Sequence, residues 1–459
     1  MVKLGHGRRG IGSSEPTAAR QCAYRVLQRT FGEDAYADRA FRAEAERAGL
    51  DERDRAFAQR LAYGAIQNRA TLDYVVTALS SRAPDAIDLP IQNALRLGIY
   101  QLTLMDGVPD HAAVGETVDL AKQHGRGGHR FVNAVMRRAA REASDLIAEL
   151  TDDTPSEAAV RHSHPEWLVR MWWETLGQEE TIALLERDNG PAENALRANE
   201  LLVTREEVAQ ELAEVGVETR PAERIPEGLV LTGPFDVHGS KLFHAGAVMP
   251  QSRASMLVAR TLDPQPGDRV LDLCAAPGAK TTHLAALMGN EGEVVAVERH
   301  GGRARSLADN CDRLGATCVT VRENDALDIE GEFDRVLLDP PCSDLGTLQA
   351  RPDVRWKKDE SAVARLAAEQ ALLLDSAADR VRGGGTLVYS TCTISPDENE
   401  RQVASFLERR DDFRLDDITP SLGEYADPRL PGAAQVLPHR HGTDGFFIAR
   451  LTRHNGTHG

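Results

Sequence analysis

The sequence predicts a helical domain, then a small α+β insert, then a doubly wound α/β domain built on a mostly parallel sheet. Three observations carry this. From about Thr17 to Arg141 the apolar residues recur at three-four spacing, the period of helices packed on one face. From Pro264 onward the pattern changes to short strands alternating with helices, the mark of a parallel sheet covered on both faces. The 459 residues give room for two or three domains.

Taken in order, residues 1–15 are rich in Gly, Arg and Ser and read as a disordered basic tail. An all-helical domain is expected over 16–145. Ala23, Val26, Leu27, Thr30 and Phe31 mark one helix face. Asp51 reads as the N-cap of a helix through Phe57, Leu61 and Ala65, with Asp54 in its first turn. Pro90 suits the start of another, with Ile91, Ala94, Leu95, Ile99 and Leu102 on its face. A helix from about His111 to Gln123, a glycine loop at 125–128 and a helix through Phe131 and Val135 follow. Asp152, Asp153, Pro155 and Ser156 break the pattern, so 142–160 reads as a linker. The α+β insert is expected over 160–245. It begins with a helical segment holding Trp167, Trp172 and Trp173, read as core rather than as a stacking platform. It continues with a strand at 194–198 and a helix opened by the capping box Thr204–Glu207.

The α/β domain is expected over 246–455. Its first strand, Arg269 to Leu273, runs into a tight loop of small residues, Cys274-Ala275-Ala276-Pro277-Gly278-Ala279-Lys280. The second ends in Glu298 and the third leads to Asp325. The fourth ends in Asp339-Pro340-Pro341-Cys342-Ser343. Neither proline has an N–H for the ladder, so the chain must leave the sheet there. The fifth, Leu387 to Ser390, runs into Thr391-Cys392-Thr393. Ligands of open α/β sheets bind at this carboxyl edge. Two cysteines thus leave two strands at one edge. A lone strand-end cysteine is most often a small buried apolar residue; the cofactor signature beside this pair favours chemistry.

Small residues after the first strand let the backbone approach a ligand. An acid ending the second strand can accept from both ribose hydroxyls. The loop has neither G-x-G-x-x-G nor G-x-x-x-x-G-K-[ST], which disfavours a pyrophosphate or triphosphate. A nucleoside without phosphates, such as S-adenosylmethionine, fits better. The bland alternatives are a helix cap at Glu298 and a turn at Asp325.

Composition narrows the partners. Net charge is −17, yet basic side chains cluster. Residues 122–141 carry Lys122, Arg126, Arg130, Arg137, Arg138 and Arg141 with no acid, and 351–358 carry four basic groups against Asp353. Such patches on an acidic body suggest a local nucleic-acid footprint, against the alternative of solvated helix faces. No apolar run approaches the ~18 residues of a membrane span. The N-terminus lacks a secretory pattern, so a cytoplasmic protein is expected. None of the six cysteines forms a C-x-x-C pair, so no metal is expected.

Together the motifs resemble those of the RNA (cytosine-5) methyltransferase family. The runs Leu271–Gly278, Asp339–Ser343, Arg351–Trp356, Tyr389–Thr393, Pro396–Glu400 and Asp444–Phe447 match its pattern in order, over about 245–451. The family usually has Gly where Ala279 stands. The helical domain resembles the NusB-type antitermination factor, a combination similar to the branch acting on bacterial 16S rRNA. The resemblance implies a Rossmann-like class I methyltransferase domain using S-adenosyl-L-methionine. It implies Cys392 as nucleophile and Cys342 as the group that helps remove the carbon 5 proton for release. It also implies that Glu298 binds the ribose, Asp325 the adenine and Asp339 the methionine end. Cys274, Ala275, Ala276, Pro277, Gly278, Ala279 and Lys280 would line the cofactor. The Arg351–Arg355 run would lie where the substrate backbone passes. The expected partner is RNA, 16S rRNA first and tRNA second, for a monomer that touches no membrane. The rivals are an amino-methyltransferase, which puts an aromatic where Cys342 stands, and a non-catalytic RNA-binding assembly factor.

Overall fold

The structure is a computed structural model and describes residues 16–124, 127–233 and 235–455. The tail expected over 1–15, and Gly125 and Arg126 of the glycine loop, lie outside them. The chain forms two compact units. One ends at Leu185 and takes in Arg351–Lys357; the other comprises Glu186–Ala350 and the chain from Lys358.

The first unit is helical: α1 (Ala18–Gly32), α2 (Ala37–Arg47), α3 (Glu52–Gln67), α4 (Arg69–Ser80), α5 (Leu89–Thr103), α6 (Asp110–His124) and α7 (His129–Ala148). Asp51 caps α3 by accepting from the Asp54 amide at 2.8 Å. Pro90 stands in the first turn of α5, where its missing N–H costs nothing. Helix α5 is buried along most of its length; its Arg96, 1% exposed, is held by both oxygens of Asp73 at 2.7 and 2.8 Å. Two differences from the expected linker appear. Helix α7 runs on to Ala148, and Thr154 opens a short helix, Pro155–Arg161, with a capping box. Trp172 is fully buried.

Arg351–Lys357 belongs to this unit by its contacts. The Trp356 indole donates to Ile66 O at 2.7 Å, and Asp353 accepts from the Ala37 amide at 3.1 Å. Arg355, expected beside the substrate backbone, is instead fully buried and donates to Ser163 O at 3.1 Å. A fully buried guanidinium that donates to a backbone carbonyl is a structural tie, not an RNA contact.

The second unit holds two sheets. The small one contains β1 (Asn194–Ala198), β2 (Thr219–Pro221), β3 (Gly228–Leu231) and β4 (Val248–Pro250), all antiparallel in the order β2-β3-β1-β4. The large one contains β5 (Arg269–Leu273), β6 (Glu293–Glu298), β7 (Val319–Glu323), β8 (Phe333–Leu338), β9 (Val381–Thr391), β10 (Phe413–Leu415), β11 (Ala434–Val436) and β12 (Phe446–Arg453). Its order is β10-β12-β9-β8-β5-β6-β7, with β11 on β12. From β9 to β7 the pairs are parallel; β12 joins β9 antiparallel. The chain builds outward from β5 through β6 to β7, then crosses back to β8. The carboxyl ends of β5 and β8 therefore flank the switch point where such sheets bind ligands.

Alternating residues bury both faces. Val270, Val294, Leu337 and Val388 pack with the helix Arg253–Leu262. Leu271, Val295, Val336 and Leu387 pack with the helix Glu360–Asp379. A buried polar knot ties the small sheet to the helix Ala279–Leu287. Arg197 of β1 donates to Ala279 O and to Thr282 Oγ1, both at 2.8 Å. Glu227 accepts from Arg260 at 2.6 Å and from His283 Nε2 at 2.5 Å. Burial, with Arg197 nearby, pushes His283 down to about 4, so the ring is neutral at pH 7.

Candidate active site

The loop after β5 is fixed before any ligand arrives. Cys274 takes a left-handed φ of 63° and Gly278 one of 100°. A Cβ at Gly278 would stand 2.7 Å from the Leu307 side chain, so glycine is required there. The Ala275 amide donates to Val297 O at 2.9 Å. Arg303 and Asn310 donate to Ala276 O and Pro277 O, each at 2.9 Å. Burial, with Asp339, Asp272 and Glu298 nearby, pushes the Cys274 thiol up to about 12, so it stays protonated. Asp272 is buried beneath the loop, accepts from Thr281 Oγ1 at 2.6 Å, and is pushed up to about 7 by that burial.

Carboxylates stand at three strand ends around this loop. Glu298 closes β6; it accepts from the His300 amide at 2.9 Å and pairs with Arg303 at 3.3 Å. Asp325 follows β7 and caps a 3₁₀ turn through the Leu327 amide at 3.0 Å. Asp339 follows β8; one oxygen meets Lys280 Nζ at 2.7 Å and the other accepts from Ser390 Oγ at 3.0 Å. Burial pulls the Lys280 ammonium down, but the Asp339 charge and hydrogen bond outweigh it and hold it protonated. Lys280 lies 5.1 Å above the Phe446 ring. These carboxylates suit a nucleoside with a cationic tail: acceptors for ribose hydroxyls, an adenine amino group and an ammonium. The residues therefore fit S-adenosylmethionine.

The two strand-end cysteines meet. Cys342 Sγ and Cys392 Sγ are 3.3 Å apart. Cys392 Sγ also lies 3.1 Å from Asp344 Oδ1, and Cys342 Sγ lies 3.8 Å from the same oxygen. No cysteine is in a disulfide among the described residues. The flanking backbone is pinned from several sides. Glu398, fully buried, accepts from the Ser343 amide and from Gln370 Nε2, each at 2.9 Å, and from the Ser343 hydroxyl. The Gly346 amide donates to Cys392 O at 3.0 Å. A Cβ at Gly346 would fall 2.1 Å from Gly445 O, so the turn after β8 and the chain entering β12 meet only as glycines. The hydrogen bond with Cys342, then burial and the charges of Asp344 and Asp339, holds the Cys392 thiol well above its ordinary value. For Cys342 the hydrogen bond with Cys392 lowers it, but burial, Asp344 and Glu398 outweigh that and raise it. Both thiols are protonated at rest.

The structure thus joins Cys342 to Cys392 and Lys280 to Asp339, and sets Glu298 and Asp325 at neighbouring strand ends. Sequence reasoning missed four participants. Asp344 lies two residues past Cys342, just beyond the run that drew attention. Glu398 sits inside the matched run Pro396–Glu400, but nothing in sequence says that it faces Ser343. Arg197 and His283 carry no local signal, because their partners are distant in the chain.

A class I methyltransferase sheet, acceptor groups for S-adenosylmethionine at the switch point and a thiol pair beside it, at the ends of β8 and β9, define a methyltransferase that uses S-adenosylmethionine. Three family profiles cover the chain: the NusB family over residues 17–141, the RsmF/B-like ferredoxin-like domain over 164–238, and the 16S rRNA methyltransferase RsmB/F over 259–452. The probable ribosomal RNA small subunit methyltransferase B of Synechocystis is 37% identical over 449 residues, 95% of this chain and 99% of that one. The Vibrio cholerae ribosomal RNA small subunit methyltransferase B is 36% identical over 406 residues, 87% of this chain and 90% of its own. Among solved structures, PH0851 superposes with a TM-score of 0.81 at 29% identity, covering 95% of this chain and 99% of its own. NSun6 from Pyrococcus horikoshii with SFG gives 0.58 at 25% identity, over 63% of this chain and 98% of its own. The chain belongs to the RsmB/F family of 16S rRNA methyltransferases. It is an S-adenosylmethionine-dependent RNA methyltransferase with a NusB-like helical domain. No described helix is long and apolar enough to cross a membrane.

Proposed function

We propose that the protein methylates carbon 5 of a cytosine in 16S ribosomal RNA, in the cytoplasm, through a covalent bond from Cys392 to carbon 6. The observation that supports this most is the pair of thiols 3.3 Å apart at the ends of two adjacent parallel strands. Carbon 5 of cytosine is a weak nucleophile. A sulfur added at carbon 6 turns it into an enamine that can take a methyl group, one hard step split into two easier ones. S-adenosylmethionine, when bound, supplies that methyl on a sulfonium. Glu298 would hold the ribose hydroxyls, Asp325 the adenine and Asp339 the methionine end. The loop Cys274–Lys280 lines the cofactor, and Lys280, fixed by Asp339, presents its cation toward the base. Cys342 takes the carbon 5 proton so that Cys392 can leave. A paired or stacked target is first drawn out of its stack.

The test is nucleoside mass spectrometry with bisulfite mapping of 16S rRNA from cells that carry the gene, lack it, or carry Cys392→Ala. One 5-methylcytosine present only with the native gene is expected. A methyl on an exocyclic nitrogen, or an unchanged 5-methylcytosine signal in the Cys392→Ala strain, overturns the reading.

A further inference from the structure

We propose that Asp344 is the proton relay of this site, taking the proton of Cys392 before attack and that of Cys342 before release. The inference rests on the cysteine reading above and adds a residue to it.

Both thiols hold their protons at rest, so the attacking thiolate has to be made in place. The thiolate, not the thiol, is the nucleophile. The charged groups facing the sulfurs are Asp344, Asp339, Lys280 and Glu398. Asp339 is engaged by Lys280 and Ser390, and Glu398 by Ser343 and Gln370. Asp344 is the acid that hydrogen-bonds sulfur. Its Oδ1 lies 3.1 Å from Cys392 Sγ and 3.8 Å from Cys342 Sγ, so one oxygen serves both. Asp344 is also half-buried where Cys342 is buried, which gives a transferred proton a way out. Its backbone is held at φ 59°, a left-handed conformation that aspartate tolerates better than most side chains, and this setting places its carboxylate against the sulfurs.

The protons balance. The Cys392 S–H proton passes to Asp344, and the freed sulfur pair forms the bond to carbon 6. The carbon 5–carbon 6 π pair moves to carbon 5, which takes the methyl; the old methyl–sulfur pair stays with the sulfonium sulfur. Asp344 then loses its proton to solvent and draws the proton of Cys342. The Cys342 thiolate takes the hydrogen from carbon 5. The C–H pair restores the double bond, Cys392 leaves with the carbon 6–sulfur pair, and Asp344 returns a proton to it. One proton is released per turnover, as transfer from a sulfonium to a neutral carbon requires.

Asp344→Asn separates this role from a structural or purely electrostatic one, because asparagine keeps the size and accepts a left-handed φ. Two rates are read on the full-length protein: alkylation of Cys392 by iodoacetamide, followed by peptide mass spectrometry, and single-turnover methylation of 16S rRNA across pH 6–9. Losing the negative charge should leave alkylation as fast as in the native protein or faster. Losing the acceptor should slow methylation by about 100-fold or more, with a rate rising about tenfold per pH unit as hydroxide takes over. Asp344→Gly fits the same backbone, and added formate should restore part of its rate. If Asp344→Asn speeds or preserves both rates, the acid only tunes the thiol and the proposal fails. If both rates fall together with the native pH profile and formate restores nothing, the role is packing and the proposal fails. Cys392→Ala run alongside separates the two readings. Methylation surviving in that variant removes the cysteine mechanism itself; methylation lost there but native in Asp344→Asn removes the relay alone.

Discussion

The six cysteines have different fates. Burial pushes Cys22 up to about 11 and Cys311 to about 12, which keeps both thiols protonated and inert. Cys342 and Cys392, by contrast, bring their sulfurs together. Their positions were legible because each follows an apolar strand at the sheet edge. That a carboxylate bridges them was not, since Asp344 reads as an ordinary turn acid. Glu398 was equally silent, although it carries the geometry around Cys342. It takes three hydrogen bonds from Ser343 and Gln370 without exposure to water. Glu398→Gln puts an amide donor against those donors. It should cost about 1–3 kcal/mol of stability, as expected for an unmatched buried polar group. Ser343→Ala, which removes one hydroxyl donor and leaves the acceptor and the backbone amide in place, should cost less. Chemical denaturation of both variants checks this; equal, near-zero losses would mean the network does not hold the turn.

Local chemistry made single elements readable. Asp51 and Thr204 are caps within reach of their own helices, and both cap as expected. Arg355 failed as an RNA contact because its acceptor, Ser163 O, lies 192 residues away in sequence. The basic run at 122–141 is likewise thinned by partners. Lys122 pairs with Asp119 at 2.6 Å and Arg138 with Glu142 at 2.7 Å, whereas Arg130 and Arg137 of α7 are exposed. Those two are the side chains to test for RNA backbone binding. Arg130→Gln with Arg137→Gln should weaken RNA binding several-fold and flatten its salt dependence, the log–log slope falling by about 0.7–0.9 for each phosphate no longer neutralised. S-adenosylmethionine affinity should not change. Filter binding at several salt concentrations gives both numbers; an unchanged slope would make α7 a solvated face.

For the whole molecule, the change of hydrophobic period near Pro264 announced the α/β sheet; its five parallel strands and their carboxyl edge followed from the apolar runs and from the two prolines after β8, whereas the short strands β10 and β11 carried no such signal. The division into compact units was less legible. It falls at Leu185–Glu186 and assigns Arg351–Lys357 to the helical unit, through hydrogen bonds such as Trp356 to Ile66 that no local pattern encodes. Trapping the covalent intermediate tests whether RNA meets two thiols with different duties. Native protein, Cys392→Ala and Cys342→Ala are each incubated with 16S rRNA and S-adenosylmethionine and run on a denaturing gel. Cys342→Ala should stay bonded to methylated RNA as a slower band, because addition and methyl transfer proceed while elimination stalls; Cys392→Ala should show neither band nor product. A denaturant-resistant band from Cys392→Ala would reverse the two roles, and 5-methylcytosine formed at the native rate by both variants would contradict the mechanism.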